Sequence, residues 1–336
     1  MKTFASPEEF LAHIRAVEAS ALPRSHHRDE MFRQIHEEQL KVSNETHPPG
    51  SELFDHIVAD RMAEIERTLR DDQRVFVRKA IAAGSLEHAT VNAQILRNSD
   101  RHYAIVVNHD LIVLLNKFIK LVAAAKDPTT VIYCNRGNPG TFSGAAYVKM
   151  ADEILAHYAQ TGIPLRPRIK FDLNSQSYRF SVSALRSVEL FILAHEVGHF
   201  INGDLEAEQS FVRWNLDGDV LVFIGSRRHR CEFCADRFAF ETSLRIEKTC
   251  SLEGTAADVL FGFATLTFNF LRGISDRESY SHPSPSSRLL TIVGDFFGDD
   301  IAKLIEQSFG NPALVTEVRN RIGNVSIEKL LADAKQ

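Results

Sequence analysis

The sequence is short of the residues that would staple an extracellular fold. It has 4 cysteines in 336 residues. They form no regular framework, so reduced thiols and a cytoplasmic setting are expected. Positive charge is not in excess: 39 Lys and Arg stand against 44 Asp and Glu, a formal net charge of -5. A mildly acidic chain is a poor general binder of nucleic acid or anionic membrane, so no nucleic acid is expected as a partner. Long apolar runs are also missing. The most apolar stretch, Val259–Leu271, contains Asn269. It falls short of the roughly 20 residues a membrane-crossing helix needs, and a buried helix is expected there instead. Near the N-terminus, Glu8, Glu9 and His13 interrupt the apolar stretch a secretory peptide would need, so no signal peptide is expected. No internal repeat or long low-complexity tract is visible.

What is present is ordinary globular material, with 44% apolar and 25% charged residues. That supports a substantial core in one large domain or two smaller ones. Residues 1–50 read as helical and charged up to a break at His47-Pro48-Pro49-Gly50, and residues 51–95 as further helix. A strand is predicted at Tyr103–Val107, then helices at Asp110–Ala125 and Tyr147–Gln160. The glycine-rich stretch Asn135–Gly144 reads as a loop, either a lid or a plain linker, and Arg168–Asp172 as a short strand.

Residues 187–202, SVELFILAHEVGHFIN, carry the chemistry. Ser187 suits a helix cap, Glu189 the positive end of the helix, and Asn202-Gly203 its stop. The helix is apolar almost all round and should be buried. Two histidines and a glutamate on such a helix need a reason. His195 and His199 are four apart, which puts both imidazoles on one face, able to ligate one ion. Zinc accepts neutral imidazole well. Glu196, turned by about 100°, can flank the ion and act as general base on a water the metal makes acidic. The bland alternative is a buried helix whose histidines bond to backbone.

A third ligand is needed. Residues 230–241, RCEFCADRFAFE, offer Glu232 and Asp236 on one helix face. Like charges so placed repel unless Glu232 binds the metal and Asp236 accepts a hydrogen bond from a ligand histidine. Ala235 and Ala239 would let two helices approach closely.

HEVGHFINGD, CEFCADRFAFE and SHPSPSSR, taken in that order, resemble the gluzincin zinc metallopeptidases that include the CAAX prenyl endopeptidase and the heat-shock membrane protease HtpX. In that family HExxH is followed by a short NxD-type tail, matched here by Asn202-Gly203-Asp204. The resemblance implies zinc held by His195, His199 and Glu232, with Asp236 behind them. It implies a His-Pro motif, here His282-Pro283, in which the histidine stabilises the oxyanion or gates the metal. It also implies a supporting arginine, here Arg288. On its own, His282-Pro283 would read as a turn. The expected fold is α+β and mostly helical: a gluzincin-like zincin core with a small sheet and an additional helical N-terminal region. The expected domains are 1–95 helical, 96–295 metallopeptidase with an insertion near 127–185, and 296–336 helical. The membrane helices of the family are absent, so prenylated substrates are not implied.

The expected function is a zinc-dependent endopeptidase acting on protein or peptide substrates. A regulated, narrow-specificity protease of the phage-exclusion or toxin type is one alternative. A non-catalytic, zinc-stabilised binding module is another. Other features read as structural: Cys231-x-x-Cys234 brackets Glu232, Asp217-Gly218-Asp219 matches only part of a calcium loop, and Arg227-Arg228-His229-Arg230 is a basic turn.

Overall fold

The computed structural model describes residues 3–21, 51–87, 91–133, 142–161, 171–206, 213–216, 220–224, 229–249, 256–264, 266, 270–271, 282–308, 314–323 and 325–333. The Pro-Pro break at 48–49, Asp217–Asp219, Arg227-Arg228, residues 135–141 of the glycine-rich loop and residues 168–170 lie outside them.

The architecture is α+β and mostly helical around one small sheet. The sheet holds β1 (Ile81–Leu86), β2 (Ala93–Asn98), β3 (Tyr103–Asn108), β6 (Arg213–Leu216) and β7 (Val220–Ile224), in the order β1-β3-β2-β7-β6. β1 runs parallel to β3, and the other pairs are antiparallel. A separate two-stranded ribbon pairs β4 (Val131–Tyr133) with β5 (Phe171–Leu173).

Alternate residues of a strand face opposite sides, and the core divides accordingly. Ala82, Leu86, Leu96, Ala104 and Val106 pack under Phe10, Leu11 and Ile14 of helix α1 (Pro7–Ala21). Ile81, Ile95, Tyr103, Ile105 and Val107 face the main helical core. There lie α2 (Ser51–Thr68), α4 (His109–Lys126), α5 (Gly144–Thr161) and α6 (Ser175–Ile201). A strand buried on both faces loses the apolar–polar alternation that would reveal it.

The helices expected at 110–125 and 147–160 are present with slightly wider bounds. Local expectations fail at several places, among them residues 93–95, read as helix, which open β2. Residues 81–86, read as helix, form β1: α3 (Asp71–Ala80) passes into extended backbone at Ile81, which keeps a cap bond to Val77. The HExxH helix also starts at Ser175 rather than Ser187. Asn174 caps it, accepting from Ser177 N at 2.9 Å. Residues 175–186 contain neither proline nor glycine, so nothing stops the helix there. Ser187 is internal, and its hydroxyl donates to the Ser183 carbonyl at 3.0 Å.

Past the sheet come α7 (His229–Thr249), α8 (Ala256–Ala264), α9 (Pro285–Phe297), α10 (Asp299–Ser308), α11 (Leu314–Gly323) and α12 (Ile327–Asp333). In the apolar stretch from 259, Val259, Leu260, Phe263, Leu266 and Phe270 are buried. Among the described residues no helix is long and apolar enough to cross a membrane.

Candidate metal centre

α6 and α7 lie against each other at Gly198 and Ala235. A Cβ on Gly198 would sit 3.0 Å from Ala235 Cα, so the helices meet backbone to backbone. Ala235 and Ala239 are fully buried in this contact. Glu232 lies one turn before Ala235 and therefore comes level with the HExxH face.

His195, Glu196, His199, Glu232 and Asp236 are all buried. The Nε2 atoms of His195 and His199 are 3.1 Å apart. Glu232 Oε2 is 3.5 Å from His195 Nε2, and Glu232 Oε1 is 3.6 Å from His199 Nε2. These three side chains form a group able to hold one metal ion. The other ring nitrogens are occupied: His195 Nδ1 lies 2.9 Å from Asp236 Oδ1, and His199 Nδ1 2.9 Å from Asp204 Oδ2. An ionised carboxylate only accepts, so each Nδ1 carries a hydrogen, and a bound metal would take the lone pair left on each neutral Nε2.

Arg288 of α9 reaches Asp236 with two bonds, Nε to Oδ2 at 2.7 Å and Nη2 to Oδ1 at 2.5 Å. Its Nη2 also lies 3.5 Å from His195 Nδ1, so the guanidinium borders both Asp236 and that imidazole. His282 is exposed at the rim, with Nδ1 3.2 Å from Glu232 Oε1. Glu196 lies next to β2, beside the Ile95 backbone. Cys231 is buried and Cys234 exposed.

The electrostatics follow from burial and pairing. Burial raises the Glu196 pKa above the ordinary glutamate value. Burial also opposes ionisation of Glu232, but His195 and His282 outweigh it and hold that carboxyl well below its usual range. Asp236 is likewise lowered against its burial, by Arg288 and then His195. For His195, burial would depress the pKa, yet hydrogen bonds to Asp236 and Glu232 raise it to about 10. Without a cation, then, a proton on His195 partly stands in for one.

Two contributors were not assigned a role from the sequence. Asp204 reaches His199 because Gly203 adopts φ +73°, which folds the chain back after the helix. The Asn-Gly-Asp tail was the available signal. Arg97 of β2 donates from Nη1 to the Leu205 carbonyl at 2.6 Å. Nothing in the sequence pointed to it. Glu189, read as a helix-end charge, sits mid-helix and buried, 3.1 Å from Arg61 Nε of α2.

No protein-family model matches the chain, and neither does any curated protein or solved structure with which it was compared.

Proposed function

We propose that the chain is a zinc-dependent endopeptidase with a gluzincin-like, zincin-type core, acting on protein or peptide substrates in the cytoplasm. The observation that carries the proposal is the donor triangle. Two imidazole nitrogens and a carboxylate face one another at 3.1, 3.5 and 3.6 Å, with both Nδ1 atoms tied to carboxylates. Four donors set tetrahedrally at zinc distances stand about 3.3 Å apart. Imidazole and carboxylate are ligands zinc takes readily. Three protein donors leave a fourth position for water or substrate, as catalytic zinc sites do.

Bound zinc would supply Lewis acidity, polarising the scissile carbonyl and making water a competent nucleophile. The Glu196 carboxylate takes the proton as water oxygen bonds to the carbonyl carbon. It delivers that proton to the amide nitrogen as the C–N bond breaks. Asp236 and Asp204 orient the two imidazoles, and Arg288 holds Asp236. The proposed task of His282, at the open rim, is to donate toward the charge growing on the carbonyl oxygen.

The decisive experiment joins metal analysis to turnover. The purified chain should carry about one zinc and cleave members of a peptide library. Glu196→Gln should keep the zinc and lose about 10²–10⁴-fold in rate. Full activity in Glu196→Gln would contradict the proposal.

A non-catalytic, metal-stabilised module is the second reading. It draws on the way the polar groups satisfy one another, with His195 set between Asp236 at 2.9 Å and Glu232 at 3.5 Å. It expects His195→Ala to lower the melting temperature, with no cleavage by any form of the chain.

A further inference from the structure

Strand β2 touches the site twice. Its Ile95 backbone lies beside the Glu196 carboxyl. Two residues on, Arg97 is 5% exposed and donates to the Leu205 carbonyl in a bond that joins positions 108 residues apart. Burying a guanidinium is costly unless its bonds are well made. The nearby carboxylate of Glu206 is 3.9 Å away, 43% exposed, and shared with Arg101 at 3.5 Å. The short contact of Arg97 is with the loop backbone, not with that acid.

The loop it grips is the one that presents Asp204. The Asp204 N–H donates to the His199 carbonyl at 3.0 Å, and its Oδ2 meets His199 Nδ1 at 2.9 Å. Gly203, which makes the turn, would have nothing within 4 Å of an added Cβ. The turn is tied to its own helix by Gly203 N–H to the Phe200 carbonyl at 3.1 Å and by the Asp204 N–H, and it is held on its far side at Leu205. Leu205 is buried and its carbonyl is the acceptor of Arg97.

We propose that Arg97 is a positioning residue of the metal centre. By fixing the Leu205 carbonyl it holds the 203–206 turn so that the Asp204 carboxylate meets His199 Nδ1. That contact sets the tautomer and aim of the ligand nitrogen. The inference rests on the metal reading of the site and not on peptidase activity.

The test compares the full-length wild type, Arg97→Met, Asp204→Asn and the double variant. Zinc affinity is measured against a chromophoric chelator, and the visible spectrum of the cobalt-substituted forms is recorded. Outer partners of metal ligands typically contribute about 10–100-fold in affinity. Arg97→Met is expected to bind zinc about tenfold more weakly and to shift the cobalt spectrum. The double variant should bind no worse than Asp204→Asn, because both changes break one linkage. If Arg97→Met does not fold, Arg97→Lys is read alone: several-fold weaker binding supports the proposal and wild-type affinity overturns it. Wild-type affinity in Arg97→Met, even with a lower melting temperature, overturns the proposal and leaves Arg97 a fold residue. Losses that multiply in the double variant overturn it as well. A wild type that takes up no metal overturns this inference and the metal reading together.

Discussion

Helix α6 carries two charge clusters, one part-buried and one buried, and they differ in what they leave over. Toward α2, Glu189 meets Arg61, Arg61 also bonds Glu64, and Glu64 pairs with Arg186. Two guanidinium groups and two carboxylates cancel, so this cluster is complete as built. Toward α7, the buried carboxylates of Glu196, Asp204, Glu232 and Asp236 surround the histidines, with Arg288 the guanidinium bonded among them. That is an excess of three negative charges when the imidazoles are neutral. Unbalanced buried charge is strongly unfavourable. A divalent cation removes two of the three. The one that remains is the charge the Glu196 carboxylate needs to act as base. Hydrogen bonding joins both clusters, and charge balance separates a fastening from a binding site.

The largest test of that contrast is metal removal. Zinc held at about a thousand times its dissociation constant stabilises a folded chain by about 4 kcal/mol. Chelation should lower the melting temperature of the wild type correspondingly, and hardly change that of Glu232→Ala, which lacks a ligand. Arg61→Met comes next. It leaves Glu189 buried without its partner and should cost about 3 kcal/mol, while zinc affinity stays near wild type. That loss should depend on pH. Burial holds the folded-state pKa of Glu189 above its ordinary value of 4.5. A carboxyl with a raised folded pKa contributes stability below its unfolded pKa and loses it as pH rises through the folded value. Removing Arg61 raises that value further. Denaturation of Arg61→Met should therefore come closest to wild type near pH 4 and diverge toward neutrality. A deficit independent of pH would mean that Glu189 is not the group left uncompensated.

Residues that act within one helix turn were legible from the sequence. His195, Glu196 and His199 share a face by spacing alone, and Glu232 with Asp236 followed from like charges four apart. Contacts across the chain were not. Arg288 lies 52 residues from Asp236, and only the family resemblance directed attention to it. Asp204 needed the positive φ of Gly203, which the Asn202-Gly203 stop signals, but the return of its carboxylate onto His199 is not written in that signal. In the fold, β1 was missed because Ile81-Ala82-Ala83 follows a helix with no breaker between, and burial on both faces removed its alternation. Asn174 was passed over as a cap because Ser187 stood closer to the apolar run.

The smallest effect asks whether the helix contact under the site matters separately from the ligands. A Cβ on Gly198 would stand 3.0 Å from Ala235 Cα, 3.2 Å from Ala235 O and 3.3 Å from Phe238 Cβ. Two of those atoms are backbone, so α7 must move by a few tenths of an ångström. Alanine gains up to about 1 kcal/mol in helix propensity over glycine, and overpacking costs about 1–3 kcal/mol. Gly198→Ala should therefore lose about 1 kcal/mol net. Because α7 carries Glu232, the movement opens the donor triangle, and zinc affinity should fall several-fold. Gly262→Ala is the matched comparison, since its Cβ would meet Ser187 Cβ at 3.0 Å, two turns before His195 on α6. It should cost similar stability and leave zinc affinity unchanged. Equal loss of affinity in both variants would mean that the site responds to general loosening of α6. Loss in Gly198→Ala alone would assign it to the spacing between the two ligand-bearing helices.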